Sequence, residues 1–243
     1  MKRSIITTSD GSKTIQIEEW NEQYHSKHGA IQEANHVFIK HGLHHFNSTL
    51  QTDIYVTSSA VEKSHKEKPR EQPISILEIG FGTGLNAFIT LLEAEKLNIN
   101  IDYVGVEGYP VLMDEINQLN YVEKLNSSEK TSLFKKLHEV SWDESHELTS
   151  NFKLTKQQKM FHDINETNKY NIIYFDAFGA RVQPELWTET IFDKMFKALK
   201  TNGVLVTYSA KGSVRRAMQT VGFKVEKLPG PPGKREMLRA TKH

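Results

Sequence analysis

The chain has 243 residues, 37% of them hydrophobic, with a formal net charge of +1 and no cysteine. That length holds one domain of ordinary size plus an extension, and no apolar run approaches a membrane span. The absence of cysteine excludes disulfides, thiolate metal sites and cysteine nucleophiles, and agrees with a reducing cytoplasm.

The amino terminus, Met1-Lys2-Arg3-Ser4-Ile5, has no apolar h-region, so no secretory signal is expected. Residues 4–17 read as a hairpin, with Ile5-Ile6-Thr7-Thr8 and Thr14-Ile15-Gln16-Ile17 flanking Ser9-Asp10-Gly11-Ser12, where Asp-Gly is a strong turn signal. Glu19 to Gly29 reads as a polar loop. Helical spacing resumes from Glu33 to Phe46, with Ala34, Val37 and Phe38 on one face. His25, His28, His44 and His45 lack ligand spacing and read as surface residues rather than metal ligands, so no metal is expected. Lys63 to Pro73, charged and carrying two prolines, reads as an exposed connection. These features divide the chain into an extension over 1–72 and a main domain over 73–243.

The main domain opens on Ile74 to Ile79, an apolar run without clean alternation, as a strand covered on both faces requires. Gly80, Gly82 and Gly84 then permit a sharp turn and close approach of a ligand. Leu85, Phe88, Ile89 and Leu92 recur at helical spacing. Such a strand–loop–helix offers free backbone N–H groups and a positive helix end to a nucleotide-like ligand. The dinucleotide fingerprint G-x-G-x-x-G is not met, because its third glycine would fall on Leu85.

Asp102 to Gly108 is the second strand. Glu107, at its carboxyl end, stands where a carboxylate accepts both ribose hydroxyls. Pro110 marks the start of a helix bearing Met113 and Ile116. Residues 121–150 are polar and intermittently helical, and read as a surface insertion. A third strand is expected within Phe152 to Asp163, ending in His162-Asp163-Ile164. The fourth, Asn171 to Phe178, is apolar until Asp176, which projects from the carboxyl edge where ligands bind in open α/β sheets. A helix begins at Pro184 with Ile191, Phe192, Met195 and Leu199 as its buried stripe. Gly203 to Tyr208 is the fifth strand and Ser213 to Val221 a helix with Arg215 and Arg216 outward. Phe223–Leu228 and Glu236–Thr241 close the chain as a hairpin. From Lys211 onward nine Lys/Arg stand against two acids, an asymmetry that can mark a polyanion-binding face. The whole predicts an α/β, Rossmann-like doubly wound sheet with an antiparallel carboxyl-terminal hairpin.

Glu78-x-Gly80-x-Gly82-x-Gly84 resembles motif I of the class I S-adenosylmethionine (SAM) methyltransferases. The resemblance implies SAM as cofactor, Glu78 at its methionine end, the glycines and Asn86 around it, Glu107 on the ribose and Asp163 toward the adenine amino group. Three further stretches sharpen the likeness: Phe175-Asp176-Ala177-Phe178 with Pro184-Glu185-Leu186-Trp187, Gly233-Lys234-Arg235-Glu236-Met237-Leu238, and the block from Tyr24-His25-Ser26 to Ile39. Together they are similar to the methyltransferase half of the bifunctional tRNA 5-methylaminomethyl-2-thiouridine biosynthesis family. Ala177 departs from the glycine usual there, and the flavin-dependent oxidoreductase half has no counterpart in the sequence. The resemblance therefore implies a cytoplasmic stand-alone enzyme that methylates the amine of 5-aminomethyl-(2-thio)uridine at the tRNA wobble position. A separate enzyme would supply that amine.

On this reading Asp176 orients the amine and accepts its proton. A splayed wobble base in the anticodon region would stack on Phe178, Tyr24 or Tyr208. Lys211, Arg215, Lys234 and Arg235 would meet phosphates. Three rivals remain. A spermidine-synthase-like aminopropyltransferase has a similar fourth strand, but its usual glycine-glycine-glycine-aspartate run is not matched by Gly80-Phe81-Gly82-Thr83. A small-molecule methyltransferase leaves the basic carboxyl-terminal region unexplained. A non-catalytic SAM- or RNA-binding module has no need of Asp176.

Overall fold

The computed structural model describes residues 2–50 and 72–243; the expected connection up to residue 71 lies outside them. At the amino-terminal end, strand β1 (Arg3–Thr7) pairs antiparallel with β2 (Lys13–Ile17). The turn between them is fixed by Asp10, whose Oδ1 accepts from Thr8 Oγ1 at 2.7 Å and from the Ser12 amide at 3.0 Å. A short β3 (Glu22–Gln23) adds to β2, so the segment expected as a loop contributes a strand. Helix α1 (Ala30–Ala34) runs directly into a π-helical stretch (Asn35–His44) that buries Val37, Phe38, Ile39 and Leu43. This helix packs in one core cluster with main-sheet residues Ile76, Tyr174 and Val206, so the extension and the sheet share a core.

The main sheet continues in chain order with β4 (Ile74–Ile79), helix α2 (Leu85–Leu97) and β5 (Ile101–Glu107). Short helices α3 (Met113–Ile116) and α4 (Tyr121–Lys124) precede α5 (Thr131–Glu139), β6 (Ser145–Thr149) and β7 (Phe152–Gln158). Then come β8 (Tyr170–Phe175), α6 (Glu189–Ala198), β9 (Leu199–Thr207), α7 (Gly212–Thr220) and the hairpin β10 (Lys224–Pro229) with β11 (Glu236–Thr241). The spatial order is β10-β11-β9-β8-β4-β5-β7-β6. Strands β7, β5, β4, β8 and β9 are mutually parallel, while β6 and the β10–β11 hairpin run antiparallel at the two edges. The chain winds outward from β4 through β5 to β7, then returns to β8 on the other side, so the switch point lies between β4 and β8.

Alternation along the strands explains why both faces are covered. Ile76 belongs to the cluster under α2, whereas Leu77 and Ile79 belong to the cluster under α6 and α7. Every residue of β4 is buried.

Three expectations need correction. Pro110 lies in the loop, and the helix starts three residues on, at Met113. The third strand ends at Gln158, and Phe161–Asp163 form a separate 3₁₀ turn. Residues 121–150 are no mere surface insertion. Tyr121, Phe134 and Leu137 enter the main core, with the Phe134 ring 5.1 Å from that of Phe88.

Candidate active site

The carboxyl ends of β4 and β8 are cross-tied before any ligand is considered. The Asp176 amide donates to Ile79 O at 2.9 Å, and the amides of Gly80 and Phe81 both donate to Val106 O on β5. Tyr208 Oη donates to Ala177 O at 2.8 Å, and Trp187 Nε1 donates to Phe178 O at 2.8 Å. The backbone carrying Asp176 is thus held from three sides. Ala177, which departs from the resembled glycine, is buried and supplies one of those carbonyls.

Asp176 opens onto a cavity of about 310 Å³, the size range of small-molecule sites. Gly80, Gly82, Glu107, Tyr24, His25 and Phe178 share its lining. Backbone geometry explains two of the glycines. At φ +89° a Cβ on Gly80 would stand 2.8 Å from the Asp176 carbonyl oxygen. At φ +48° one on Gly82 would stand 2.9 Å from the Tyr24 ring. The amides of Gly80, Phe81, Gly82 and Gly84 are already bonded within the protein. The glycine loop therefore makes room, and these four amides are not free to cradle an anion.

Behind the cavity lies a carboxylate pair. Asn86 Nδ2 donates one hydrogen to Glu78 Oε1 at 2.9 Å and the other to Asp176 Oδ2 at 2.8 Å. Glu78 is fully buried, and desolvation pushes its carboxyl well above the usual range. Burial, reinforced by the Glu33 charge, lifts Asp176 to about 7, against the bonding of Asn86 and the charge of Lys234. Asn86 Oδ1 is a buried acceptor with no partner among the described residues, and Glu78 Oε2 has only the buried Tyr103 hydroxyl near it, outside good hydrogen-bond geometry. Of these groups Asp176 lines the cavity, while Glu78 and Asn86 stand behind it; a cationic, N–H-donating group offsets the burial of both carboxyls. Each Glu107 oxygen holds one backbone donor, Oε2 the Gly82 amide at 3.0 Å and Oε1 the Tyr109 amide at 2.9 Å. Each therefore keeps a lone pair for a hydroxyl. These residues fit SAM, a sulfonium carrying an ammonium and a ribose.

Not every sequence candidate meets the cavity. Gly84 caps α2, and a Cβ there would run into His138 and Leu137. Asp163 is exposed and 3.4 Å from His162, which itself reaches the cavity. Lys211 at the N-cap of α7, Arg215 on α7 and Arg235 in the β10–β11 turn all lie outside the lining; Arg215 is half-buried. Lys234 is pinned inward: its Nζ pairs with the buried Glu33 and lies 3.8 Å over the Tyr208 ring. Tyr24 and Phe178 meet edge to face at 4.9 Å, and Trp20 meets Phe178 edge to face at 5.6 Å.

The sequence reading missed His25. Expected at the surface, it is buried, its Nε2 lies 2.7 Å from Thr83 Oγ1 and its Nδ1 3.9 Å from Asp176 Oδ2. Burial, helped by Lys234, holds it down at about 4, so its ring is neutral at pH 7. Among the described residues no cluster of side chains could hold a metal, and no helix is long and apolar enough to cross a membrane.

A doubly wound sheet with an antiparallel hairpin edge, and a cavity at its switch point, are the architecture of the class I methyltransferase fold. A family model described as S-adenosyl-L-methionine-dependent methyltransferase matches residues 122–243, half of the chain, and the chain belongs to that family. Its cofactor is accordingly SAM. Over 245 residues it is 25% identical to the tRNA 5-methylaminomethyl-2-thiouridine biosynthesis bifunctional protein MnmC of Hydrogenovibrio crunogenus, covering 97% of this chain and 33% of that protein. To the protein of the same name from Idiomarina loihiensis it is 26% identical, over 76% of this chain and 32% of the other. The chain thus spans about a third of the length of these relatives. Among solved structures it resembles MnmC2 from Aquifex aeolicus, with a TM-score of 0.73 at 23% identity over 100% of this chain and 70% of that one. Spermidine synthase from Thermotoga maritima reaches 0.54 at 12% identity, over 98% of this chain and 68% of that one. Likeness at these identities establishes the fold.

Proposed function

We propose that the chain methylates the primary amine of 5-aminomethyl-(2-thio)uridine at the tRNA wobble position, giving 5-methylaminomethyluridine. The observation that carries this reading is Asp176, a carboxyl 6% exposed at the mouth of an aromatic-walled cavity, tied through Asn86 to Glu78. The names of the relatives supply the substrate class.

Bound SAM supplies a methyl group activated by its positive sulfur. In this reading Glu78 and Asn86 hold its methionine end and Glu107 its ribose, with Asp163 as a further candidate at the adenine. An alkylamine with a pKa of about 10.4 arrives mostly protonated, and only its neutral form attacks. As the N–C bond forms and the S–C bond breaks, positive charge grows on nitrogen. Asp176 stabilises that charge and accepts the departing proton. A carboxylate beside an ammonium raises the ammonium pKa, so Asp176 does not itself neutralise the amine; alignment of donor and acceptor provides most of the acceleration. Tyr24 and Phe178 form the wall on which the splayed base stacks. The basic carboxyl-terminal region contacts the anticodon arm, in the cytoplasm where tRNA resides. The amine is the product of a separate active site.

The test uses purified protein, methyl-labelled SAM and tRNA from cells lacking the gene, with nucleosides read by mass spectrometry. Label in 5-methylaminomethyluridine, gained at the expense of the aminomethyl form, supports the reading. Bound SAM with unlabelled tRNA overturns it and redirects the search to small amines, beginning with polyamines.

A further inference from the structure

We propose that His25 is a positioning residue for Asp176: held by Thr83 through Nε2, it presents an Nδ1–H to the Asp176 carboxylate and couples that acid to the glycine loop. Three observations carry this. Tyr121 Oη donates to Thr83 Oγ1 at 3.2 Å, so the Thr83 hydroxyl hydrogen is free to turn toward His25 Nε2, 2.7 Å away. With the hydroxyl turned that way Nε2 accepts, and the proton of the neutral ring sits on Nδ1, which is the tautomer we assign. Nδ1 lies 3.9 Å from Asp176 Oδ2, and Asn86 reaches the same oxygen. That separation is too long for a direct hydrogen bond, but a small ring rotation or one water closes it.

The loop bearing His25 is itself anchored, because the Ser26 amide donates to Glu33 Oε2 at 3.0 Å. The other charged groups acting on this pair are Lys234 from the hairpin turn, Glu33 from α1, Asp10 from the first turn and Glu78 from β4. Lys234 and Glu33 are paired with each other and stay in place when His25 is replaced. A neutral Nδ1–H favours the ionised form of Asp176, the form that can take the proton from the acceptor nitrogen. The catalytic consequence rests on the function proposed above; the tautomer and the coupling do not.

The experiment is done on the full chain without cofactor. Long-range ¹H–¹⁵N correlation of histidine-labelled protein reads the His25 tautomer, and aspartate ¹³Cγ shifts read the Asp176 titration. The expected result is an Nδ1–H tautomer. His25→Phe should move the Asp176 midpoint up by about one pH unit, as loss of a donor to the charged form requires. His25→Asn, whose Nδ2 falls near the Nδ1 position, should largely restore it. An Nε2–H tautomer, or an Asp176 midpoint equal in wild type and His25→Phe, overturns the proposal. So does an Asn variant that matches the Phe variant, since loss of packing alone would treat both alike. With a working acceptor, the acid limb of kcat should shift with the same pattern. Wild-type protein that titrates as expected yet leaves tRNA unmethylated sinks the functional reading and leaves this one standing.

Discussion

Asp176 combines two demands that oppose each other. Under the proposed mechanism it must be buried to sit dry beside the acceptor, and it must be ionised to take the proton. Burial wins and lifts it to about 7. Because this folded value lies above that of an unfolded aspartate, the stability it contributes is full below about pH 4 and is lost as pH rises through about 7. Asp176→Asn should therefore match wild type in stability near pH 4 and exceed it at pH 8 by about 1 kcal/mol or more, seen as a Tm about 2–4 °C higher. The same variant should lose about 10²–10⁴ in kcat while SAM still binds calorimetrically. In wild type, kcat/KM should rise with an inflection near 7 that the variant lacks. Full activity in Asp176→Asn would remove it from the mechanism.

Elements differ in how far they could be read from sequence. β4 and β8 were plain because strands buried on both faces must be continuously apolar. β6 was not, since Ser145-His146-Glu147-Leu148-Thr149 is an edge strand burying only Leu148. The segment 121–150 hid its role by spreading a few core residues over short polar helices. Phe134→Ala tests that role and should cost about 3–5 kcal/mol as a lower urea midpoint at unchanged slope, where a surface insertion would lose almost nothing. The Glu19–Gly29 segment hid the site itself. The contacts of His25 lie far along the chain and follow no local period, so only the fold reveals them. That segment is clamped to the loop after β8 by Arg181, whose Nη2 donates to Trp20 O at 2.8 Å and pairs with Glu22 at 2.7 Å. Arg181 is mostly exposed, so Arg181→Ala should barely change global stability. Hydrogen exchange at Asn21–Gln23 should nevertheless speed up about tenfold, equivalent to ~1.4 kcal/mol of local opening. Unchanged exchange would mean that the aromatic contacts alone hold the β2–β3 turn.

At the scale of the molecule, the basic carboxyl-terminal region is less free than its composition suggests. Lys227 pairs with Glu236, Arg239 with Glu226 and Lys234 with Glu33. Among the described residues Lys211, Arg216, Lys224 and Arg235 make no ion pair, and all four are exposed. Paired cations have their field cancelled locally, so the unpaired ones decide how strongly this face attracts a polyanion. Each phosphate they neutralise should contribute about −0.7 to −0.9 to the slope of log K against log salt. Arg235→Ala should then weaken tRNA binding at every sequence tested and make the slope shallower by about one. Lys227→Ala, whose charge is already spent on Glu236, should leave the slope unchanged. If Arg235→Ala changes nothing, RNA does not approach over the β10–β11 turn. If Lys227→Ala is as damaging as Arg235→Ala, binding opens the pairs of the hairpin, and the carboxyl-terminal edge rearranges to meet its substrate.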